Sequence, residues 1–196
     1  CAQLPTYLLD DVCSAVQLLC GGNNEALAPA VFLLSCFALQ TSNELCAAIS
    51  AAPTAIPMLV RQLAPARRRG KELQQCYAAQ TLDALALDSR QLALACIEAG
   101  ALPRLAELVR AVDASSHHNF VGALRSLAAQ CPEETAACPG IVTALVHIAG
   151  SNADASTLIR AAQGLGVLAA GSSQRSQAVM EAGGADALLL LQKRDA

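Results

Sequence analysis

The sequence has few aromatic residues and no tryptophan. Only 3% of its 196 residues are aromatic although 54% are hydrophobic, so the apolar side chains are mainly those of Ala, Leu, Val and Ile. A β-sandwich would be richer in Thr, Tyr and Phe. Small residues and leucine instead favour helices that pack closely against one another. The composition therefore predicts an all-α protein.

Long apolar runs and an excess of either charge are also absent. The apolar run Ala26 to Leu39 is shorter than the roughly 20 residues that a membrane-spanning helix needs, and Pro29 interrupts it. The net charge is −3 and the pI is near 5.6, which gives no general attraction to nucleic acid or to an anionic membrane surface. We expect no nucleic-acid partner and no insertion into a membrane.

Paired-cysteine motifs are missing from a chain that contains nine cysteines. The count is odd and no two cysteines form a C-x-x-C motif, so neither a disulfide framework nor a zinc site is indicated. Most cysteines lie in the apolar stripes of predicted helices, for example Cys36, Cys46, Cys76 and Cys96. We interpret them as small hydrophobic residues that stay reduced. The sequence predicts no metal and no cofactor.

The first residues, CAQLPTYLLDD, have no basic segment and carry two acids where a signal peptide would be apolar. Together with the reduced cysteines, this predicts a cytoplasmic location, and a nuclear one stays open. Because the chain opens on Cys and both ends look truncated, we expect it to be part of a longer chain.

Leucines recur at a fixed spacing along the whole chain. One set of similar nine-residue segments, such as ALPRLAELV and GADALLLLQ, places Leu59, Leu105, Leu145 and Leu188 in register, at intervals of 46, 40 and 43 residues. A second set holds Leu34, Leu82, Leu124 and Leu165 at intervals of 48, 42 and 41 residues. Two independent sets with one period near 43 indicate a tandem repeat.

Each repeat divides into a short, a middle and a long helix. The short helices are predicted over 44–51, 92–99, 133–137 and 175–182. Capping boxes are predicted at Thr41 and Asp88, and Pro132 suits the first position of a helix. Glycines at 100, 140 and 183 are placed where the chain must turn, because glycine adopts positive φ without strain.

The segment Glu98–Leu105, with Glu-Ala-Gly-Ala-Leu-Pro before its final leucine, resembles the core of armadillo repeats, and Glu181–Leu188 departs from that pattern mainly by losing the proline. HEAT repeats are the nearest alternative, but their unit lacks the short leading helix. The resemblance implies a right-handed α-superhelix of about four repeats with truncated ends. It gives a single domain over 1–196, with units at 1–42 (partial), 43–88, 89–130, 131–171 and 172–196 (partial).

Helical periodicity separates the two faces of each long helix. Taking Phe32, Gln80, Gly122 and Gln163 as position zero, positions −2, +2 and +5 are apolar in every repeat and form the predicted buried stripe. In armadillo proteins the opposite face lines a concave groove that binds peptides or proteins. The residues that the resemblance assigns to this groove are Phe32, Tyr77, Gln80, Asp83, His118, Asn119, Arg125, Ser126, Arg160 and Gln163.

The predicted function is a non-catalytic protein-binding scaffold, with Phe32 and Tyr77 as the expected anchors. Nuclear-import adaptors of the family carry Trp at position zero and Asn four residues later, and no repeat here has that pair. The predicted groove has more basic residues, namely Arg125, Arg160 and His118, than acidic ones, of which Asp83 is the one assigned. This excess favours an acidic or phosphorylated ligand. The alternatives are a regulatory or targeting region of a larger enzyme, of the kinase or ubiquitin-ligase type, and a structural or self-associating spacer.

No arrangement of residues supports catalysis. The pair His117-His118 has no nucleophile or orienting acid at a useful spacing, and we expect both histidines to face solvent at a helix start. No phosphate-binding loop, zinc signature or nucleophile elbow occurs. The basic run Arg67–Lys71 is interpreted as a solvated loop, with a phosphate-binding patch as its alternative.

Overall fold

The computed structural model describes residues 6–21, 23–40, 42–64, 71–111 and 117–194. These residues form thirteen α-helices and no strand, which confirms the all-α prediction. In chain order the helices are α1 (Thr6–Cys20), α2 (Asn24–Gln40), α3 (Ser42–Ser50), α4 (Ala55–Gln62), α5 (Lys71–Asp88), α6 (Arg90–Glu98), α7 (Ala101–Ala111), α8 (His117–Gln130), α9 (Pro132–Ala137), α10 (Ile141–Ala149), α11 (Ala155–Ala169), α12 (Ser173–Glu181) and α13 (Gly184–Arg194).

The helices recur in the order short, middle and long. Three complete sets, α3–α5, α6–α8 and α9–α11, are preceded by α1 and α2 and followed by α12 and α13. The long helices pack side by side in chain order, α2 against α5, α5 against α8 and α8 against α11. Middle helices pack in the same order, α7 against α10 and α10 against α13. The chain is therefore a stack of like helical units, while the exact limits of each unit stay a prediction.

The predicted stripe of the long helices forms the core between these layers. Eleven of its twelve residues are buried, and Phe37 is half-buried. The buried members are Ala30, Leu34, Ala78, Leu82, Leu85, Phe120, Leu124, Leu127, Ala161, Leu165 and Leu168. Helical spacing alone identified this face, because positions −2, +2 and +5 project to the same side at 100° per residue.

Glycine and capping residues set the ends of the short helices. Gly100, Gly140 and Gly183 have φ of 85°, 85° and 87°, as their predicted turns require. Pro132 stands at the start of α9. The capping residue of α6 is Ser89 rather than the predicted Asp88: the Ser89 side chain accepts a hydrogen bond from the Leu92 amide. The other predicted cap, Thr41, lies outside the described residues.

The start of α11 is fixed by an aspartate. Asp154 Oδ1 accepts a hydrogen bond from the Thr157 amide at 3.0 Å, and Oδ2 accepts one from the Thr157 hydroxyl at 2.6 Å. These two bonds hold the pKa of the Asp154 carboxyl below its usual value, and the bond from the hydroxyl has the larger effect. The nearby His118 also lowers this pKa. Asp154 therefore caps the helix as a carboxylate.

The eight cysteines among the described residues are unpaired. Cys76, Cys96 and Cys131 are buried, whereas Cys36 and Cys46 are half-buried. Burial raises the pKa of the Cys96 thiol to about 12, with smaller contributions from Cys131 and Cys46. At neutral pH the Cys96 side chain is thus a neutral thiol, and it packs as a small apolar group.

Within the described residues, no single helix is both long and apolar enough to cross a membrane; 43–50 and 55–62 pass only as a pair bent by 108°. Nor do three His, Cys, Asp or Glu side chains meet in that part of the chain as a metal site would require.

Replacing Leu124 by Ala should lower the free energy of unfolding by about 2–5 kcal/mol, because it opens a cavity in a fully buried site. Urea denaturation measures this loss. The matched control is Leu87→Ala, at a leucine that is 51% exposed on α5, which should change stability by no more than about 0.5 kcal/mol. Equal effects of the two substitutions would contradict the packing described here.

Asp154→Ala should cost about 1 kcal/mol at neutral pH, since two hydrogen bonds at the start of α11 are lost. Because the folded-state pKa of Asp154 lies below its unfolded value, its contribution is present at neutral pH and disappears as the pH falls through the lowered pKa. Denaturation curves at neutral and acidic pH test this. Asp154→Asn keeps a side chain that can cap the helix but does not titrate. The stability of this variant should be closer to that of the wild type at neutral pH than the stability of Asp154→Ala, and it should change less on acidification than that of the wild type.

Candidate partner-binding face

The candidate site is the side of the four long helices that lies opposite their buried stripe. We call it the long-helix face and define it by the ten residues predicted from the sequence: Phe32, Tyr77, Gln80, Asp83, His118, Asn119, Arg125, Ser126, Arg160 and Gln163. Phe32 and Gln163 are exposed, and seven of the others are half-buried. Ser126 is fully buried, so this residue cannot touch a partner as predicted; its role is to hold Asp83, as described below.

An aromatic pair connects α2 to α5. The ring of Phe32 meets the ring of Tyr77 edge to face, with the centroids 5.1 Å apart and the planes at 64°. Phe32 nevertheless stays 44% exposed, and Tyr77 is half-buried. Edge-to-face packing fixes both rings while leaving apolar area open to solvent. The two predicted anchors thus form one site.

Asp83 is the centre of a polar cluster that joins three long helices. Its Oδ1 accepts a hydrogen bond of 2.5 Å from the Ser126 hydroxyl, and its Oδ2 accepts one of 3.3 Å from Arg160 Nη1. Arg125 Nη2 lies 3.9 Å from Asp83 Oδ1 and donates to Ser126 Oγ at 3.1 Å. Residues from α5, α8 and α11 are therefore held together by one carboxylate.

Gly122 provides the space in which this cluster forms. A Cβ atom at Gly122 would lie 2.6 Å from Arg160 Nη1 and 2.9 Å from Asp83 Oδ2. Both distances are shorter than real Cβ contacts, so a side chain at this position would force the ends of Arg160 and Asp83 to shift from the places where they meet across α8. At position zero of α8, the space beside Gly122 is therefore occupied by the ends of Arg160 and Asp83.

The cluster carries more positive than negative charge. Two guanidinium groups face one carboxylate, and the side chains of Arg125 and Arg160 remain 26% and 29% exposed. A guanidinium has five N–H donors, and Asp83 and Ser126 engage only one donor of each arginine in hydrogen bonds. The exposed edges can therefore still bind a carboxylate or phosphate.

His118 lies beside this cluster at the start of α8. Its Nδ1 is 3.3 Å from Ser156 Oγ on α11, and the carboxylate of Asp154 is engaged by Thr157. A hydrolytic triad needs the aspartate on one ring nitrogen and the serine on the other. Here the aspartate bonds elsewhere, so the three groups form no proton relay.

His117 is buried, which makes its predicted exposure wrong. Its position, −5, also holds Leu27, Gln75 and Leu158, and all four residues are buried. The physical reason is that −5 lies seven residues before +2, so both positions project to nearly the same side of an α-helix. Extending the stripe by one turn would have identified His117 as a buried residue.

The remaining members of the long-helix face are residues with amide side chains. Gln80, Asn119 and Gln163 make no side-chain hydrogen bond to another described residue, and Gln163 is exposed. Amide side chains can satisfy the backbone N–H and C=O groups of an extended peptide.

Of the basic run Arg67–Lys71, residues 67–70 lie outside the described residues, and Lys71 is exposed at the start of α5.

The structure shows an armadillo-like repeat fold when it is compared with solved structures. An engineered protein from a structural genomics consortium aligns with a TM-score of 0.76 and 25% identity, covering 91% of this chain and 70% of that chain. A designed armadillo repeat protein in complex with the peptide (KR)4 aligns with a TM-score of 0.73 and 23% identity, covering 88% of this chain and 70% of that one. A structure of computationally designed armadillo repeat proteins for modular peptide recognition aligns with a TM-score of 0.71 and 24% identity. This alignment covers 88% of this chain and 70% of that chain.

The armadillo resemblance seen in the sequence is thus confirmed at the level of the fold. No protein-family model matches the chain, and no curated protein matches it.

Gly122→Ala tests the cluster against a matched glycine. A Cβ at Gly166 on α11 would meet nothing within 4 Å, so Gly166→Ala should stabilise the protein by about 0.5–1 kcal/mol through helix propensity. Gly122→Ala has the same propensity gain but forces the ends of Arg160 and Asp83 to shift, which should weaken their ion pair. We expect it to yield no net stabilisation in urea denaturation. Equal gains at both positions would show that the ion pair does not depend on Gly122.

Proposed function

We propose that this chain is a non-catalytic scaffold that binds an extended, acidic segment of a partner protein along the long-helix face. The observation that carries the proposal is the pair Arg125 and Arg160, whose guanidinium groups share Asp83 and keep exposed edges. The fold supports the broader part of the proposal, because designed proteins of similar structure are peptide binders.

Charge argues for an acidic rather than a basic ligand. The designed protein in the comparison binds a peptide of alternating lysine and arginine. On the long-helix face of the present chain, the two arginines leave a net positive charge after pairing with Asp83, although the whole chain carries −3. A lysine-rich peptide would meet like charge there, whereas a carboxylate or phosphate would complete the unused guanidinium donors.

The aromatic pair provides the second contact. Tyr77 and Asp83 both lie on α5 and are six residues apart, which corresponds to about 9 Å along a helix axis. Phe32 and Tyr77 offer exposed apolar area at a point where two rings are already fixed, and such rigid aromatic sites commonly dominate binding energy. The ligand that fits is an acidic segment with an apolar or aromatic residue nearby.

The scaffold would act by pre-organisation. Asp83, Ser126 and the two arginines are already connected in the free protein, so a ligand need not order them when it binds. Asp83 also limits affinity, because a ligand anion competes with it for the same two guanidinium groups. Binding should therefore be moderate and sensitive to salt.

Fluorescence anisotropy tests the proposal with a labelled glutamate-rich peptide that contains one tyrosine, and with the same peptide carrying a phosphoserine. Arg125→Glu and Arg160→Glu should each weaken binding by at least about tenfold, or 1.4 kcal/mol. Asp83→Asn should strengthen it, since a competing carboxylate is removed. Tyr77→Ala should weaken binding of the same probe.

Arg61→Glu is the matched control, because it makes the same charge change at an exposed position of α4. It should leave the affinity within about twofold of wild type, since charges beyond about 10 Å are largely screened at physiological salt. A labelled (KR)4 peptide should bind more weakly than the acidic probes. If Tyr77→Ala combined with Arg125→Glu leaves acidic-peptide binding unchanged, the proposed function is wrong.

A further inference from the structure

Two equivalent cavities lie between successive short helices. One lies between α3 and α6 and has a volume of about 420 Å³, and the other lies between α9 and α12 and has a volume of about 280 Å³. We call the second one the α9–α12 cavity. Residues at the same places of the two short helices line both cavities, namely Gln91 and Gln174, Leu92 and Arg175, and Ala95 and Ala178.

The third residue of the short helix distinguishes the two cavities. The backbone amides of Leu92 and Arg175 each donate to the side chain of the capping serine, Ser89 in α6 and Ser172 in α12. Leu92 is buried. The side chain of Arg175 is only 11% exposed, although burial of a charged group is costly. Because leucine fills the equivalent place in α6, packing alone does not require an arginine in α12.

The guanidinium of Arg175 is held at the wall of the α9–α12 cavity. Its Nη2 donates to the carbonyl of Ala170, directly after α11. Gly171 has φ of 75°, and a Cβ there would lie 3.3 Å from Nη2. Nε and Nη1 of Arg175 are buried, and neither makes a hydrogen bond to another described residue. The guanidinium is therefore fixed in place while part of its donor capacity is unused.

Glu133 of α9 holds the place of a ligand on this guanidinium. Its Oε1 lies 2.8 Å from Nη1 of Arg175, and its side chain is 73% exposed. Ion pairs with an exposed partner contribute little to stability, so another carboxylate can replace Glu133 on Nη1. Both residues line the cavity, and a carboxylate that makes this exchange therefore binds at the cavity wall.

We propose that the α9–α12 cavity binds a small carboxylic acid with a short apolar body. The carboxylate pairs with Arg175 in place of Glu133, as guanidinium groups bind carboxylates strongly. The apolar body lies against the apolar part of the lining, which includes Ala136, Val142, Ala178 and Val179. Sites for drug-sized ligands measure roughly 300–1,000 Å³, so a cavity of about 280 Å³ suits a ligand of few atoms. This site is separate from the long-helix face and does not rest on the proposed function.

The probe is isovalerate, and its neutral analogue isovaleramide is the ligand control. NMR titration of the full chain, labelled at the valine methyl groups, should show saturable shifts of the Val142 and Val179 signals with a Kd of about 1 mM. Isovaleramide should bind at least about tenfold more weakly, because it forms no ion pair with Arg175. Acetate should also bind at least about tenfold more weakly, because it lacks most of the apolar body.

Arg175→Leu tests the guanidinium and introduces the residue that α6 has at the equivalent place. It should weaken isovalerate binding by at least about tenfold, with unchanged helix content in circular dichroism. The matched control is Arg90→Leu: this arginine of α6 lies 3.8 Å from Glu134 of α9 but does not line the α9–α12 cavity. It should leave the affinity within about twofold of wild type.

Glu133→Gln provides a readout that a purely structural ion pair would not give. It changes an exposed side chain and removes the carboxylate that competes with the ligand, so isovalerate should bind at least about threefold more tightly. Weaker binding by this variant overturns the proposal. So does the absence of saturable shifts, equal binding of isovalerate and isovaleramide, or binding that Arg175→Leu leaves unchanged. Arg125→Glu should not affect isovalerate binding, so failure of this site and failure of the long-helix face are distinguishable.

Discussion

The apolar stripe of each long helix is buried against the shorter helices of its own repeat and against the neighbouring long helices. Leu34, Leu82, Leu124 and Leu165 hold equivalent places in this arrangement, and each is fully buried. A single three-helix unit of about 43 residues has too little core to bury such a stripe by itself, so stability arises from stacking. Every other feature follows from this constraint, since the side opposite the stripe is left for solvent and for partners.

Stacking also explains how a polar cluster can span three repeats. Asp83 belongs to α5, Ser126 to α8 and Arg160 to α11, and each is 34 to 43 residues from the next in sequence. Because α5 packs against α8 and α8 packs against α11, side chains from three successive repeats come within reach of one another. Gly122 leaves room for the observed contact, because a Cβ there would lie 2.6 Å from Arg160 Nη1 and 2.9 Å from Asp83 Oδ2.

The long-helix face runs along the stack, because α2, α5, α8 and α11 pack side by side in chain order. It combines an aromatic pair with two arginines that share one carboxylate. This combination of apolar and positively charged groups on one side of the stack is the basis of the proposed binding of an extended acidic segment.

Much of the fold could be predicted from spacing, because helical periodicity and glycine turns are local properties. The period near 43, the buried stripe and the turns at Gly100, Gly140 and Gly183 are readable in the sequence and are confirmed by the structure. Two local predictions were wrong. Ser89 rather than Asp88 caps α6, because adjacent residues of similar capping propensity compete for one position, and His117 is buried because the stripe extends one turn further than was assumed.

The sequence by itself determined that the chain is helical, repetitive and apolar along one side of each long helix, since these properties depend only on residue type and spacing. The tertiary structure alone decided that Asp83 holds two arginines, that Ser126 lies inside rather than on the surface, and that Phe32 meets Tyr77. Those pairings join residues of different helices, so they depend on the axial offset between stacked helices, which residue spacing within one helix does not encode.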